Sequence, residues 1–241
     1  MIEYAQRLNH FLPQLQAKGV GRVICIVNGS PKSCQKLSEM LDLSPEIELL
    51  SDEAGDAGRE FGVGRGFMPD DDKVTVPLSK LLESLDDIDV PISPYAKLFA
   101  MLLGAGARDT LPSVITGYLG NPSGKHEWIE ASLAQGQRQG RWPANVLELD
   151  AASGTVARNP FDELPVVGGW GRRPFELATL RLQTMVGVSL KEWGALQPTD
   201  ERTLTQLGGL VVVNGEGNVV YEYRDNGICN VADFDKLLED L

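Results

Sequence analysis

The chain has 241 residues, 42% of them apolar, and a formal net charge of −12, a balance that suits a soluble protein with a sizeable core. The acidic balance argues against nucleic acid and against anionic lipid as general partners, because both attract basic surfaces. The three cysteines are widely spaced, which argues against a disulfide scaffold and for a reducing compartment. With only two histidines, a His/Cys zinc site is also disfavoured, and we predict no metal and no cofactor.

The N-terminal third alternates between helical and extended patterns. Apolar residues at helical spacing predict a helix over residues 3–18, and the apolar run at 22–28 predicts a strand that is buried on both faces. A serine and a proline precede the next predicted helix, 31–43, in the order that is typical of a helix start. A second strand at 46–52 and a short helix over 53–62 follow. This order indicates an α/β fold in which crossover helices join parallel strands.

The middle of the chain is predicted to be mostly helical. An acidic, proline-rich stretch with one short helix (69–94) is followed by the most apolar part of the chain (95–118). A polar helix (126–139), a hairpin (145–159) and a further helix (172–187) come next. We predict that the apolar part forms two short helices, broken at Gly104–Gly106 and again at Pro112.

The C-terminal segment returns to short, regular elements. An Asn-Gly pair at residues 214–215 lies between two apolar runs, which is a strong signal of a β-hairpin. Asn230 is predicted to cap a last helix whose apolar residues form one buried stripe. We expect one sheet, with its last two strands antiparallel, from residues 22–28, 47–50, 210–213 and 218–223.

Three segments of the chain resemble the peroxiredoxin-like 2 branch of the AhpC/TSA antioxidant superfamily. They read LLSDEAGDAGREFGVGRG from residue 49, ITGYLGNPSG from residue 115 and QLGGLVVVNGEGNVVYEYRDNG from residue 206. In that family an aspartate after a strand leads into a short helix, as at residues 52–63, and two glycines precede the closing hairpin, as at 208–209. The resemblance implies an α/β, thioredoxin-like mixed sheet with flanking helices in a single domain, 1–241, with a large, mostly helical insertion at 67–204.

The resemblance also implies a function. Members are redox or antioxidant proteins that act on peroxides or thiols, so an active protein would be a thiol-dependent peroxidase or oxidoreductase with a thiol reductant as its partner. The family's reactive cysteine lies in the turn between an interior strand and the first helix. This chain begins almost directly in that helix, so we expect the catalytic cysteine of the family to match no position here. The alternative function is a catalytically inactive thioredoxin-fold module that binds a protein partner or a membrane-associated complex.

The strand before the first helix lies in the interior of a thioredoxin-like sheet. Without it, neighbouring strands would leave backbone groups unpaired, at a cost of about 1–3 kcal/mol for each buried group. We therefore expect another strand to take its place. The candidates are an insertion strand from residues 145–150 or 154–159, a segment upstream of Met1, or a partner chain.

Two cysteines are candidate catalytic residues, and each has a structural alternative. Cys34 lies in the first turn of a predicted helix, where the helix dipole favours a thiolate, but it also falls on the apolar stripe with Leu37 and Leu41. We favour a core position for Cys34, and likewise for Cys25 inside its predicted strand. Cys229, in a loop just before a predicted helix, is either a half-buried junction residue or the better redox candidate, and we expect no disulfide between any two cysteines.

A small arginine cluster is a candidate anion site. Arg172 and Arg173 lie just before a predicted helix, and Arg181 lies two turns further on. Guanidinium groups beside the free N–H groups of a helix start can bind a phosphate or a carboxylate. The alternative, which we favour, is that these arginines form ion pairs with Asp162 and Glu163 and hold the insertion against the domain.

Residues 95–119 form an apolar stretch without the basic flanks of a membrane-binding helix. We favour packing against the domain, and the alternative is a peripheral contact with a membrane or a membrane complex. The N-terminus lacks the pattern of a secretory signal, and no apolar run approaches the ~20 residues that span a bilayer. Together with a resemblance to proteins of cyanobacterial and plastid-bearing lineages, this predicts a location in the cytoplasm or the plastid stroma.

Overall fold

A computed structural model of the protein describes residues 2–63, 94–119, 126–141, 147–165, 176–187 and 191–241. The helices in these ranges are α1 (Ile2–Ala17), α2 (Pro31–Leu41), α3 (Asp56–Glu60), α4 (Pro94–Leu102), α5 (Thr110–Leu119), α6 (Glu127–Arg138), α7 (Glu176–Gly187), α8 (Trp193–Leu196) and α9 (Phe234–Asp240). The strands are β1 (Val23–Val27), β2 (Ile47–Ser51), β3 (Glu148–Leu149), β4 (Val156–Arg158), β5 (Gly209–Val213) and β6 (Val219–Arg224). This is a mixed α/β architecture of helices and small sheets, consistent with a thioredoxin-like fold.

Strands β1 and β2 form a parallel pair with one buried face. Val23, Cys25 and Val27 on β1 belong to the same buried cluster as the apolar stripes of α1 and α2. Ile24 and Ile26, which alternate with them, are each 40% exposed. The prediction that this strand is buried on both faces is therefore wrong, because its second face is open to solvent.

The hairpins are confirmed, but the single sheet is not. Strands β5 and β6 pair antiparallel, as the Asn-Gly turn predicts, and β3 pairs antiparallel with β4. Within the described residues, however, β1–β2, β3–β4 and β5–β6 are three separate two-stranded sheets. The prediction of one four-stranded sheet is wrong, because no described strand pairs with both β1 and β5. Among the candidates for the central place, the two insertion strands do not take it within the described residues, because β3 and β4 pair only with each other. A segment upstream of Met1 or a partner chain in that place stays a prediction.

Side chains, rather than strand pairing, link the N-terminal elements to the closing hairpin. The amide nitrogen of Asn28, just after β1, donates to the side-chain oxygen of Gln206, just before β5, at 3.1 Å. The hydroxyl of Tyr4 on α1 donates to Asp225 Oδ1 at 2.5 Å and accepts from the backbone N–H of Ala232 at 3.1 Å. Because Tyr4 and Asp225 are both buried, this connection fixes α1 against the segment that leads from β6 to α9.

Two helix boundaries differ from the sequence-based expectations. Asp233, not Asn230, caps α9, because its carboxylate accepts from the N–H groups of residues 235 and 236. Pro112 does not break the apolar region, since it lies in the first turn of α5, where its missing N–H costs no helical hydrogen bond. The predicted break at Gly104–Gly106 is confirmed and separates α4 from α5. The short helix predicted within the acidic stretch lies wholly outside the described residues, and Pro94, the last residue of that stretch, begins α4.

Helix α1 is central to the region where the candidate site forms. It packs against α6 on one side and α9 on another, while α7 packs against both α5 and α6. The rings of Phe11 on α1 and Phe234 on α9 stack with their centroids 5.3 Å apart. Five helices and the segment after β6 thus converge around one recess.

Candidate functional site

A cavity of about 320 Å³ lies where α1, α5, α6, α7 and the segment after β6 meet. Its volume falls at the lower end of the range typical of small-molecule sites, ~300–1,000 Å³. Its charged and reactive lining residues are Arg7, Arg181, His126, Cys229, Asp233 and Asp235. It therefore contains one of the two predicted catalytic cysteines and one of the three predicted anion-binding arginines.

Two guanidinium groups at the cavity share one carboxylate. Arg181 Nε donates to Glu3 Oε2 at 3.0 Å, and Arg7 Nη2 donates to Glu3 Oε1 at 2.8 Å. The side chains of the three residues are only 13–18% exposed. Burial by itself raises the pKa of Glu3, but the neighbouring Arg181 and Arg7 outweigh it and hold that pKa below its usual range. Glu3 is therefore ionised at neutral pH, and the trio carries one excess positive charge.

The two arginines are also held by backbone carbonyls and by an aromatic ring. Arg181 donates to the carbonyl oxygens of Ser113 at 3.0 Å and Cys229 at 2.9 Å. Arg7 donates to the carbonyl of Ala232 at 3.0 Å, and its guanidinium carbon lies 4.4 Å from the centroid of the Trp128 ring, a cation–π contact. The Nε of Arg7 is buried and has no hydrogen-bond partner. Several fixed contacts therefore hold both guanidinium groups in place.

Cys229 lies at the cavity in an unusual backbone conformation. Its φ of 67° falls in the left-handed region, which non-glycine residues seldom adopt, and its side chain is partly buried. Burial raises the pKa of its thiol, and the nearby guanidinium of Arg181 opposes that rise only in part. Cys229 is therefore mainly a protonated thiol at neutral pH, placed where a small molecule in the cavity would meet it.

The predictions for the other two cysteines are confirmed. Cys25 is 7% exposed and Cys34 is 5% exposed, and all three thiols are free. Burial raises the pKa of both thiols, so the helix-start position of Cys34 does not produce a low-pKa thiolate. Cys34 packs in the core, and its proposed catalytic role is not supported by a cavity or a neighbouring cation.

Only one of the three predicted anion-binding arginines, Arg181, lies within the described residues. Arg172 and Arg173 lie outside the described residues, so the anion site predicted for them stays a prediction. Arg181 does form an ion pair, but with Glu3 on α1, not with Asp162 or Glu163 as we favoured. The difference arises because α7 packs beside α5 and α6, which brings Arg181 to the N-terminal turn of α1.

Two residues of the site, Glu3 and Arg7, are not predicted from the sequence. Glu3 and Arg7 are spaced i, i+4 on α1, which is a recognisable ion-pair spacing, but nothing in the sequence indicated that Arg181 would join them. No Ser/His/Asp spacing in the sequence supports His126 as a general base, and its surroundings predict a polar helix start. It lines the cavity, where burial lowers the pKa of its imidazole, so that it is neutral at neutral pH.

Residues 95–119 present a large apolar surface instead of packing fully against the domain. The most exposed side chains are Phe99 at 64%, Leu103 at 65% and Leu119 at 73%. Tyr95, at the start of α4, contacts Trp193 edge to face with centroids 6.2 Å apart. Among the described helices, none combines the length and apolar character needed to cross a membrane. The described residues also contain no group of three acidic, histidine or cysteine side chains placed to hold a metal ion.

Comparison with known proteins identifies the family. A model of the family described as AhpC/TSA antioxidant enzyme matches residues 7–227 of the chain. No curated protein and no solved structure gives a significant match. The family match supports the resemblance noted in the sequence, without specifying a branch, and it ends just before Cys229.

Proposed function

Because the chain belongs to the AhpC/TSA antioxidant enzyme family, we propose that it is a peroxiredoxin-like redox protein in which Cys229 is the thiol that reacts with the oxidant. The observation that carries the assignment to Cys229 is its position at a cavity next to a buried guanidinium. Cys25 and Cys34 are buried in the core. In this proposal the chain places its reactive thiol after β6, away from the turn that carries it elsewhere in the family.

The reaction follows thiol peroxidase chemistry. The Cys229 thiol loses its proton to water, and its sulfur attacks one oxygen of a peroxide, R–O–O–H. The O–O bond breaks, the alcohol R–OH leaves with a proton from water, and Cys229 becomes a sulfenic acid. A thiol reductant attacks the sulfenic sulfur, water leaves, and a second reductant thiol releases Cys229 as the thiol together with the oxidised disulfide. Arg181 supports this step, because its positive charge favours the thiolate and any anion that forms on the leaving oxygen.

The test is a peroxide-consumption assay with dithiothreitol as the reductant. We expect turnover by the unmodified chain, loss of at least 90% of it in Cys229→Ser, and near-normal turnover in the matched core variant Cys34→Ala. Equal activity of the Cys229→Ser variant and the unmodified chain would contradict the assignment. Activity that disappears only in Cys34→Ala, with folding intact by circular dichroism, would move the reactive thiol to α2.

A second candidate function is a catalytically inactive binding module that docks through residues 95–119. It is favoured by the exposed apolar side chains of α4 and α5 and by the raised pKa values that burial gives all three thiols. A solvated surface seldom carries so many large apolar side chains in one continuous segment. The occupant would be a partner protein or a membrane-associated complex, in the cytoplasm or the plastid stroma.

Flotation with zwitterionic phosphatidylcholine vesicles and light scattering for self-association test the second candidate. We expect a double variant, Phe99→Ser with Leu103→Ser, to abolish whichever association is found. The matched control replaces Val219 and Val220 on the closing hairpin, which are exposed to similar extents, 56% and 54%. Association that survives the first double variant, or is lost equally in the control, would contradict a docking role for α4 and α5.

A further inference from the structure

The positively charged side chains that line the cavity are buried, whereas the negatively charged ones are exposed to solvent. Arg7 and Arg181 lie on its buried side, where their side chains are 15% and 18% exposed. Asp233 and Asp235 line the same cavity but are exposed to solvent, at the start of α9. The cavity thus has a positive floor and a negative rim.

The two arginines of the cavity floor can pair with one more anionic group besides Glu3. Glu3 is the one carboxylate that pairs with both guanidinium groups among the described residues, so the trio retains one excess positive charge. A ligand carboxylate at the floor would supply the missing negative charge.

The rim favours the opposite charge. Asp235 uses its backbone N–H to close the cap of α9, and its carboxylate is free to face the cavity mouth. Asp233 uses one carboxylate oxygen for the cap, which leaves the other available. A simple anion would be drawn to the floor but repelled at the rim, whereas a ligand with an ammonium group at its other end would be attracted by both.

The rest of the lining is mixed in character. Phe11, Trp128, Ile129, Leu177 and Phe234 contribute to it, but each is at most 7% exposed, so they offer a ligand little apolar surface. Polar side chains, among them those of Thr116, His126 and Asn230, line the same cavity. The charged groups, rather than an apolar wall, therefore determine which ligand fits.

We propose that the cavity binds a small zwitterion, that is, a free amino acid or a short peptide, whose carboxylate contacts Arg7 and Arg181 and whose ammonium group contacts the Asp233–Asp235 rim. This inference concerns binding alone and does not depend on turnover at Cys229. A ligand in this position would lie against the Cys229 thiol and would limit the access of an oxidant to it.

Isothermal titration calorimetry with three probes of the same body tests the proposal on the full chain under reducing conditions. The probes are phenylalanine, which is a zwitterion, 3-phenylpropanoate, which has only the carboxylate, and 2-phenylethylamine, which has only the ammonium group. We expect phenylalanine to bind most tightly, 3-phenylpropanoate roughly fivefold more weakly, and 2-phenylethylamine more weakly still, since one exposed charge pair contributes up to ~1 kcal/mol.

A rim variant distinguishes the two ends of the ligand without disturbing the buried trio. Asp235→Asn is expected to weaken phenylalanine binding roughly two- to fivefold and to leave 3-phenylpropanoate binding unchanged or slightly stronger. Asp240→Asn, further along the same helix and not part of the cavity lining, is the matched control and is expected to change neither affinity. These variants are exposed, so loss of folding is not a competing explanation.

Three results would overturn the proposal. The first is no heat of binding for any of the three probes up to about 10 mM, the weak end of specific small-molecule affinities. The second is binding of 3-phenylpropanoate or 2-phenylethylamine as tight as that of phenylalanine. The third is an equal effect of Asp235→Asn and Asp240→Asn. Because no peroxide is present, failure here would leave the peroxidase assay with Cys229→Ser as a separate result.

Discussion

The buried link between Tyr4 and Asp225 provides a sharp test of how the chain is held together. Replacing Tyr4 by phenylalanine keeps the ring but removes the hydroxyl that donates to Asp225 Oδ1 at 2.5 Å and accepts from Ala232 N–H at 3.1 Å. Asp225 then keeps one described partner for its carboxylate, the N–H of Gly208 at 3.1 Å. The substitution therefore leaves one buried carboxylate oxygen and one buried N–H without partners.

The expected loss of stability follows from these two groups. A hydrogen bond to a charged group contributes ~1.5–3 kcal/mol, and an unpaired buried N–H costs ~1–3 kcal/mol. We expect Tyr4→Phe to lower the free energy of unfolding by about 2–5 kcal/mol at pH 7. Tyr221→Phe on β6 is the matched control, because the Tyr221 hydroxyl makes no hydrogen bond within the described ranges, and its effect should stay below about 1 kcal/mol.

The effect should also depend on pH. Burial raises the pKa of Asp225 to about 6, and the hydrogen bond from Tyr4 partly opposes that rise. Without Tyr4 the pKa of Asp225 rises further, so the folded variant binds its proton more tightly than the unmodified protein does. Protonated Asp225 loses less from the missing hydroxyl than ionised Asp225, and the destabilisation should therefore be smaller at pH 5 than at pH 7.

Urea unfolding followed by tryptophan fluorescence measures both effects, with the free energy extrapolated to zero denaturant at each pH. Equal effects of Tyr4→Phe and Tyr221→Phe at pH 7 would refute a stabilising role for the Tyr4 hydroxyl. A larger destabilisation by Tyr4→Phe at pH 5 than at pH 7 would refute its interaction with ionised Asp225.

Four further results are expected. Glu3→Gln should lower the free energy of unfolding by about 3–5 kcal/mol in urea, because it leaves two buried guanidinium groups without a counter-charge, whereas the exposed Glu239→Gln should change it by less than about 0.5 kcal/mol. Phe234→Ala should cost about 3–5 kcal/mol, because the ring is 1% exposed and stacks on another aromatic ring, and a cost under 1 kcal/mol would mean that α9 does not close the core. The folded state binds a proton at Asp225 more tightly than the unfolded state, because the carboxyl of the unfolded chain has its usual lower pKa. Lowering the pH from 7 to 5 should therefore add about 1 kcal/mol to the free energy of unfolding through this group. Unfolding titrations of Asp225→Asn should lack that gain. Alkylation of Cys229 by iodoacetamide should still accelerate above pH 9, since burial raises its thiol pKa, and a plateau below pH 8 would contradict that placement.

Local patterns in the sequence were sufficient for most secondary structure. The Asn-Gly turn predicts the closing hairpin, and Ser30 followed by Pro31 predicts the start of α2, where the Ser30 hydroxyl accepts from the N–H of residue 33 at 3.1 Å. The stripe that contains Cys34 correctly predicts its burial. These features depend on neighbours within a few residues, so a single sequence contains the information that fixes them.

Features that depend on tertiary contacts were less predictable. The alternating exposure of β1 depends on which face the helices cover, and an unbroken apolar run such as residues 22–28 does not specify that face. The ion pairs of Arg181 depend on the packing of α7 beside α5, since Glu3 lies 178 positions away in the chain. The two arginines of the cavity therefore could not be recognised as a pair before the fold was known, although each could be seen as a candidate ion-pair residue.

The central claim, that Cys229 is the reactive thiol of an AhpC/TSA family member, is tested most directly by locating the oxidised residue. The protein is treated with a small excess of hydrogen peroxide in the presence of dimedone, which traps sulfenic acids, and the labelled peptide is identified by mass spectrometry. We expect that the peptide containing Cys229 is labelled while those containing Cys25 and Cys34 are not. Labelling of Cys34 before Cys229, or no labelling of Cys229 at any peroxide concentration that leaves the protein folded, would contradict it.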